Sequence, residues 1–197
     1  MTCGRTRHVT LFEDSIRATA AEVQRLHRAV HDTHQRYRRD RSNERARRDW
    51  ETAAERFRSY VLPRHSCRNF ASPILDRMWH AGERVGGLLD DDELRRFAFE
   101  FLTVDPFFFG SGYAKENMLR RIRKPVLTEA EKAALRGLIL KRIDGPGMRE
   151  FRDVCCMIPR AGNADLKERI TSLTRSADPS VRARAAFAER YFQHDPY

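Results

Sequence analysis

A chain of 197 residues with 41% hydrophobic content has room for one domain, or for one domain and a helical appendage, and needs no covalent staple to close a core. The 34% charged content and mean hydropathy of −0.69 suit a thin, surface-rich helical protein rather than a sandwich or a disordered chain. A net charge of +10, carried by 33 Arg and only five Lys against 28 acids, surrounds the chain with a field that attracts polyanions.

A GC-rich genome is the plainer reading of arginine over lysine, but it would not explain the net excess. The four cysteines, at 3, 67, 155 and 156, lack the regular spacing of a secreted disulfide framework, which favours a reducing compartment. The first residues contain no apolar leader core, and no run of about 18 apolar residues occurs. A soluble, cytoplasmic protein with no membrane partner is expected.

Residues 1–12 read as a tail and 13–62 as a helical hairpin. Ile16, Val23, Val30 and Tyr37 recur every seven positions, with Leu26, Thr19 and Thr33 between them, and predict a helix over 13–40 with a narrow apolar seam. Ser42 is a candidate N-cap for a second helix reaching Leu62, with Ala46, Trp50, Ala53, Ala54, Phe57, Tyr60 and Val61 on one face and Pro63 as its stop. Around the predicted tip cluster Arg36, Arg38, Arg39, Arg41, Arg45, Arg47 and Arg48, interleaved with Tyr37 and Trp50. These are candidate contacts to nucleic-acid phosphates or another acidic partner, set against the plainer role of solvated helix ends.

His27, His31 and His34, at i, i+4 and i+7, share one helical flank and have metal-ligand spacing, but no HExxH or paired-cysteine motif accompanies them. Arg28 and His34 resemble the R-x4–6-H motif of HEPN-fold ribonucleases. The resemblance implies metal-independent RNA cleavage with histidine handling the proton, although Ala29 stands where a polar residue usually follows the arginine. No metal or cofactor is expected.

Residues 63–197 are read as the body. The segment PRHSCRNFAS (63–72) divides it from the hairpin, and a helix is predicted over about 73–89. Hairpin starts then fall at Asp91, Leu127 and Asn163, 36 residues apart, and Thr128 with Glu131 has capping-box spacing. Predicted second helices cover 113–124, 148–158 and 181–192, after turns at DPFFFGSG, DGPG and SADPS. Phe107 to Phe109 read as core aromatics around a turn, with a docking or base-stacking loop as the sharper alternative. Arg120, Arg121, Arg123 and Lys124, closing one second helix before Pro125, form a second candidate basic patch. Cys155 and Cys156 read as small apolar residues on a helix.

The last unit, with Asp178-Pro179, Val181-Arg182, Ala185, Ala186 and Ala188, resembles the second helix of a HEAT-type repeat. The resemblance covers about 30 residues in motif and, in architecture alone, the preceding 70. It implies stacked α-hairpins that bind macromolecules, with Arg182 bracing neighbouring repeats. The expected fold is thus all-α: an N-terminal helical hairpin followed by a short HEAT-like array, with an irregular helical bundle as the alternative. The expected function is a non-enzymatic adaptor that engages a protein partner through its helical surface and arginine patches. A nucleic-acid-binding protein is the alternative, and a nuclease or DNA glycosylase is the reading from the enzyme class.

Overall fold

The computed structural model describes residues 11–61, 73–80, 91–108 and 110–192, and these are all-helical, with no strand among them. The helices are α1 (Glu13–Arg39), α2 (Glu44–Val61), α3 (Pro73–His80), α4 (Asp92–Val104), α5 (Ser111–Ile122), α6 (Glu129–Asp144), α7 (Phe151–Cys155), α8 (Ile158–Ala161), α9 (Ala164–Leu173) and α10 (Pro179–Glu189), followed by a 3-10 turn at Arg190–Phe192. The segment 63–72 and the predicted continuation of α3 past His80 lie outside the described residues.

α1 and α2 pair along most of α2, as the heptad spacing requires. The seam serves two cores. Ile16 joins the large core of the body, whereas Val23 and Leu26 pack with Phe57, Val30 and Tyr60 inside the hairpin. Phe108 packs against both clusters. The foot of α1 is fastened to α4: the backbone N–H groups of Leu11 and Phe12 donate to the Glu100 carboxylate at 3.1 and 2.7 Å. The Phe12 ring meets Phe97 edge-on at 5.4 Å. The cap of α2 is Asn43 rather than Ser42. The Asn43 Oδ1 accepts from the Ala46 N–H at 3.0 Å, while Ser42 is held by the Asp40 carboxylate in the preceding turn.

In the body α4 touches α6, and α6 is central, touching α7, α8, α9 and α10 as well; α5 touches α7, and α8 meets the closing 3-10 turn. Phe151 of α7 packs on Phe187 of α10 at 5.7 Å. The starts read at Asp91 and Asn163 are N-caps, accepting from Leu94 and Leu166, and the start read at Leu127 lies one residue before its cap, where Thr128 and Glu131 form a reciprocal capping box. The core is built by Phe97, Phe101, Met118, Leu119, Leu135, Ile139, Ile143, Met157, Ile158, Leu166, Ile170 and Ala185.

One predicted helix is broken. Within 148–158 the helix α7 spans only Phe151–Cys155, a tight turn follows through Cys156 and Met157, and α8 begins at Ile158. Pro159 is the physical cause, because it has no N–H to donate to the carbonyl four residues back and it suits the first turn of a new helix.

Arginines bracket successive hairpins. Arg95 donates to both Glu131 carboxylate oxygens and to the Val126 carbonyl, Arg160 to the Pro125 carbonyl, and Arg184 to the Ile143 carbonyl. These partners lie 31 to 41 residues apart, about one hairpin. Arg182, expected to brace neighbours, instead donates to Ser176 and Ala177 in its own turn. Arg184, two residues on, makes the bond between hairpins.

Candidate functional site

The tip of the α1–α2 hairpin concentrates charge. Residues 36–48 contain seven arginines against Asp40 and Glu44, an excess of five in a chain whose net charge is +10. Arg36, Arg38 and Arg39 repeat on α2 as Arg45, Arg47 and Arg48 with the same i, i+2, i+3 spacing. At about 100° per residue the three cations of each helix end fall within an arc of about 160°, on the side away from the half-buried Tyr37 in α1 and Ala46 in α2. All seven, counting Arg41 in the turn, are exposed. Arg47 pairs with Glu44 at 3.0 Å and lies 3.9 Å from Glu51. Among the described residues the other six have no ion pair.

The aromatic residues beneath this crown are committed to each other. Tyr37 and Trp50 stack at 5.5 Å with an 8° interplanar angle, His34 lies on Trp50 at 5.1 Å, and His27 lies on Phe57 at 5.5 Å. Two of the three flank histidines thus pack across to α2, and His31 is exposed, 3.6 Å from the Asp32 carboxylate. Among the described residues no group of three His, Cys, Asp or Glu side chains could hold a metal ion. Arg28 and His34, six positions apart, point about 120° apart around the helix axis.

The second basic group sits in a different chemical setting. Arg120 and Arg123 both donate to Asp153, at 3.1 and 3.0 Å, and Arg121 donates to the Met78 carbonyl. Lys124 is exposed, with no ion pair among the described residues. Beside them, Glu116 accepts from Arg149, whose guanidinium also lies 4.0 Å over the Tyr113 ring. Glu116 and Asp153 are the residues that sequence reasoning missed. Each lies 33 residues from its arginine partner Arg149 or Arg120, the same one-hairpin offset seen in the other brackets.

Below this face lies a buried charge cluster. Lys115, 1% exposed, donates to Asp105 at 2.7 Å, Arg142 donates to the same oxygen, and Lys141 reaches the other at 2.8 Å. Glu150, 2% exposed, lies 2.9 Å from Arg142 and 3.7 Å from Lys115, in charge contact but without hydrogen-bond alignment. Burial pushes the Asp105 carboxyl upward, but the bonds from Lys115, Lys141 and Arg142 outweigh it and hold the group below its ordinary range. Burial pulls the Lys115 ammonium below its usual range, against the opposing pull of Asp105 and Glu150. The cluster ties the α4–α5 turn to α5, α6 and the start of α7, and Asp105 reaches it through a left-handed backbone at φ 56°.

Other reactive groups are quiet or shallow. Burial raises the Cys155 thiol to about 12, where it remains protonated at neutral pH. A 330 Å³ cleft beside Ile158, Asn163, Lys167 and Phe192 and a 410 Å³ cleft beside Lys141, Asp144 and Arg169 are open hollows. Phe107 is 68% exposed and Phe108 is half-buried, so the phenylalanine run divides between solvent and the core junction; Phe109 lies outside the described residues. No helix among the described residues is long and apolar enough to cross a membrane. No family model matches the chain, no curated protein matches it, and no solved structure matches it.

Proposed function

We propose that this protein is a non-enzymatic interaction protein whose arginine-crowned arm docks an acidic macromolecular partner, with a short HEAT-like array of hairpins as its base. The observation that carries this reading is the contrast between the two arginine groups. Arg95, Arg120, Arg123, Arg160 and Arg184 are engaged with carboxylates or carbonyls of neighbouring hairpins, whereas six arginines at the tip have no carboxylate partner among the described residues. Evenly solvated cations are ordinary, but six of them gathered in thirteen residues produce mutual repulsion that an anionic partner relieves. The brackets between hairpins, at separations close to the 36-residue spacing, support the repeat reading. The divergence of Arg28 from His34, and the stacking of His34 on Trp50, weigh against a ribonuclease.

Heparin chromatography tests this reading, because heparin is a polyanion without bases. The wild-type protein is expected to elute at higher salt than a variant with Arg36, Arg38, Arg39, Arg41, Arg45 and Arg48 all changed to Gln. Exposed Arg→Gln changes keep helix propensity, so circular dichroism of the variant should match the wild type. Elution of both proteins at the same salt would remove the arm as the docking element.

A further inference from the structure

Resting on that reading of the arm, we propose that its partner is the phosphodiester backbone of double-helical nucleic acid, gripped without reading base sequence. Three features of the tip point there. The first is the lack of an apolar anchor: the exposed large hydrophobic residues among those described are Leu11, Phe107, Tyr113 and Val126, and none lies within 36–48. A protein interface is organised around a buried aromatic or aliphatic core with a polar rim, whereas nucleic-acid interfaces are polar and strongly cationic throughout.

The second feature separates duplex from single strand. Single strands are held by aromatic rings that accept a base on a free face. At the tip the candidate rings are half-buried and used: Tyr37 stacks on Trp50, and Trp50 also carries His34. What the tip presents to solvent is guanidinium, which matches phosphate oxygens in a two-pronged geometry.

The third concerns shape and base reading. Two helices side by side span about 20 Å, too wide for a major groove of about 12 Å, so the arm end rides across the backbone. A face of that width covers on the order of 12 phosphates of a duplex, ample for six arginines. The amides there are poorly placed to read base edges bidentately: the exposed Asn43 commits its Oδ1 to capping α2, and Gln35 is half-buried in the hairpin. Reach is also adequate. α1 is bonded to the body at Gln24, whose amide donates to the Phe107 carbonyl, and from there to Arg39 it runs about 22 Å.

Fluorescence anisotropy on the full chain tests this, with labelled duplexes of about 20 base pairs in two unrelated sequences, a duplex RNA, a single strand of equal length and polyglutamate as probes. The duplexes are expected to bind, the two DNA sequences within about threefold of each other, with affinity falling about 10³-fold between 50 and 200 mM salt. Arg41→Gln should reduce the slope of log affinity against log salt by about one, and Arg175→Gln, on the exposed surface of the body, should leave it unchanged. Tighter binding to the single strand, equal binding to polyglutamate, or a strong preference for one sequence would each overturn the inference. Heparin retention that depends on the tip, combined with no duplex binding, would sink this inference while leaving the arm as a docking element. Loss of both would sink the two together.

Discussion

Asp105 makes three ionic contacts from a strained backbone position, and two of its partners, Lys115 and Arg142, are themselves buried. Replacing the carboxylate with a neutral group leaves two buried cations short of a counter-charge, a change that costs about 3–5 kcal/mol when one member of a buried pair is lost. Asp105→Asn isolates that effect, because asparagine accepts the left-handed φ of 56° as readily as aspartate does. Because the folded carboxyl lies below its ordinary value of 3.8, its stabilisation is present above that pH and is lost as pH falls through the lowered value. Urea unfolding should therefore show a large wild-type advantage at pH 7 that starts to shrink below pH about 4, where the carboxyl of the unfolded chain takes up its proton, and that is gone once pH has fallen past the lowered folded value. A difference that does not change with pH would mean that charge is not what the variant removes. Lys115 acts in the opposite part of the scale: with its folded value depressed, stability is gained as pH climbs through that value toward 10.5.

Glu131 serves two elements at once. Its carboxylate accepts from the Thr128 N–H and hydroxyl, completing the cap of α6, and also takes the Arg95 guanidinium from α4. Burial raises the Glu131 carboxyl, but the Arg95 and Thr128 bonds prevail and lower it, so the charged form is the favoured one. Thr128→Ala removes the cap alone and should cost about 1 kcal/mol. Glu131→Ala removes cap and bracket together and should cost about 2–3 kcal/mol in a denaturant titration. Equal losses would show that the bracket contributes nothing. Much of this level was legible in the chain. Thr128 with Glu131 announced the start of α6 because such a pair satisfies exposed N–H groups locally, and Asp91 and Asn163, read from spacing, cap α4 and α9 in the same way. The division of 148–158 into α7 and α8 was written in Pro159, but the apolar periodicity across it masked the missing donor. The fate of Arg120 and Arg123 was not legible, because Asp153 comes beside them only after two hairpins have stacked.

Across the whole molecule, apolar burial is uneven. α6 places Leu135, Leu138, Ile139 and Ile143 in the core, whereas among the described residues the buried apolar side chain of α2 is Phe57, still 9% exposed. Local opening follows buried contact, so amides at Ala46–Trp50 should exchange with deuterium well before those at Leu135–Ile139. Equal protection would indicate that the arm and body open as one unit. The sequence revealed the hairpin through its heptads and the helical nature of the body through its helix starts. It did not reveal that Ile16 leaves the hairpin seam for the body core, since one apolar residue reads the same in either place. Phe108 is where those two cores meet, because its ring packs on both. A load applied at the far end of the hairpin arrives there with the leverage of a long, thin rod. That ring shares the task with the Glu100 bonds at the foot of α1 and the Gln24 bond to Phe107, which together join rod to base.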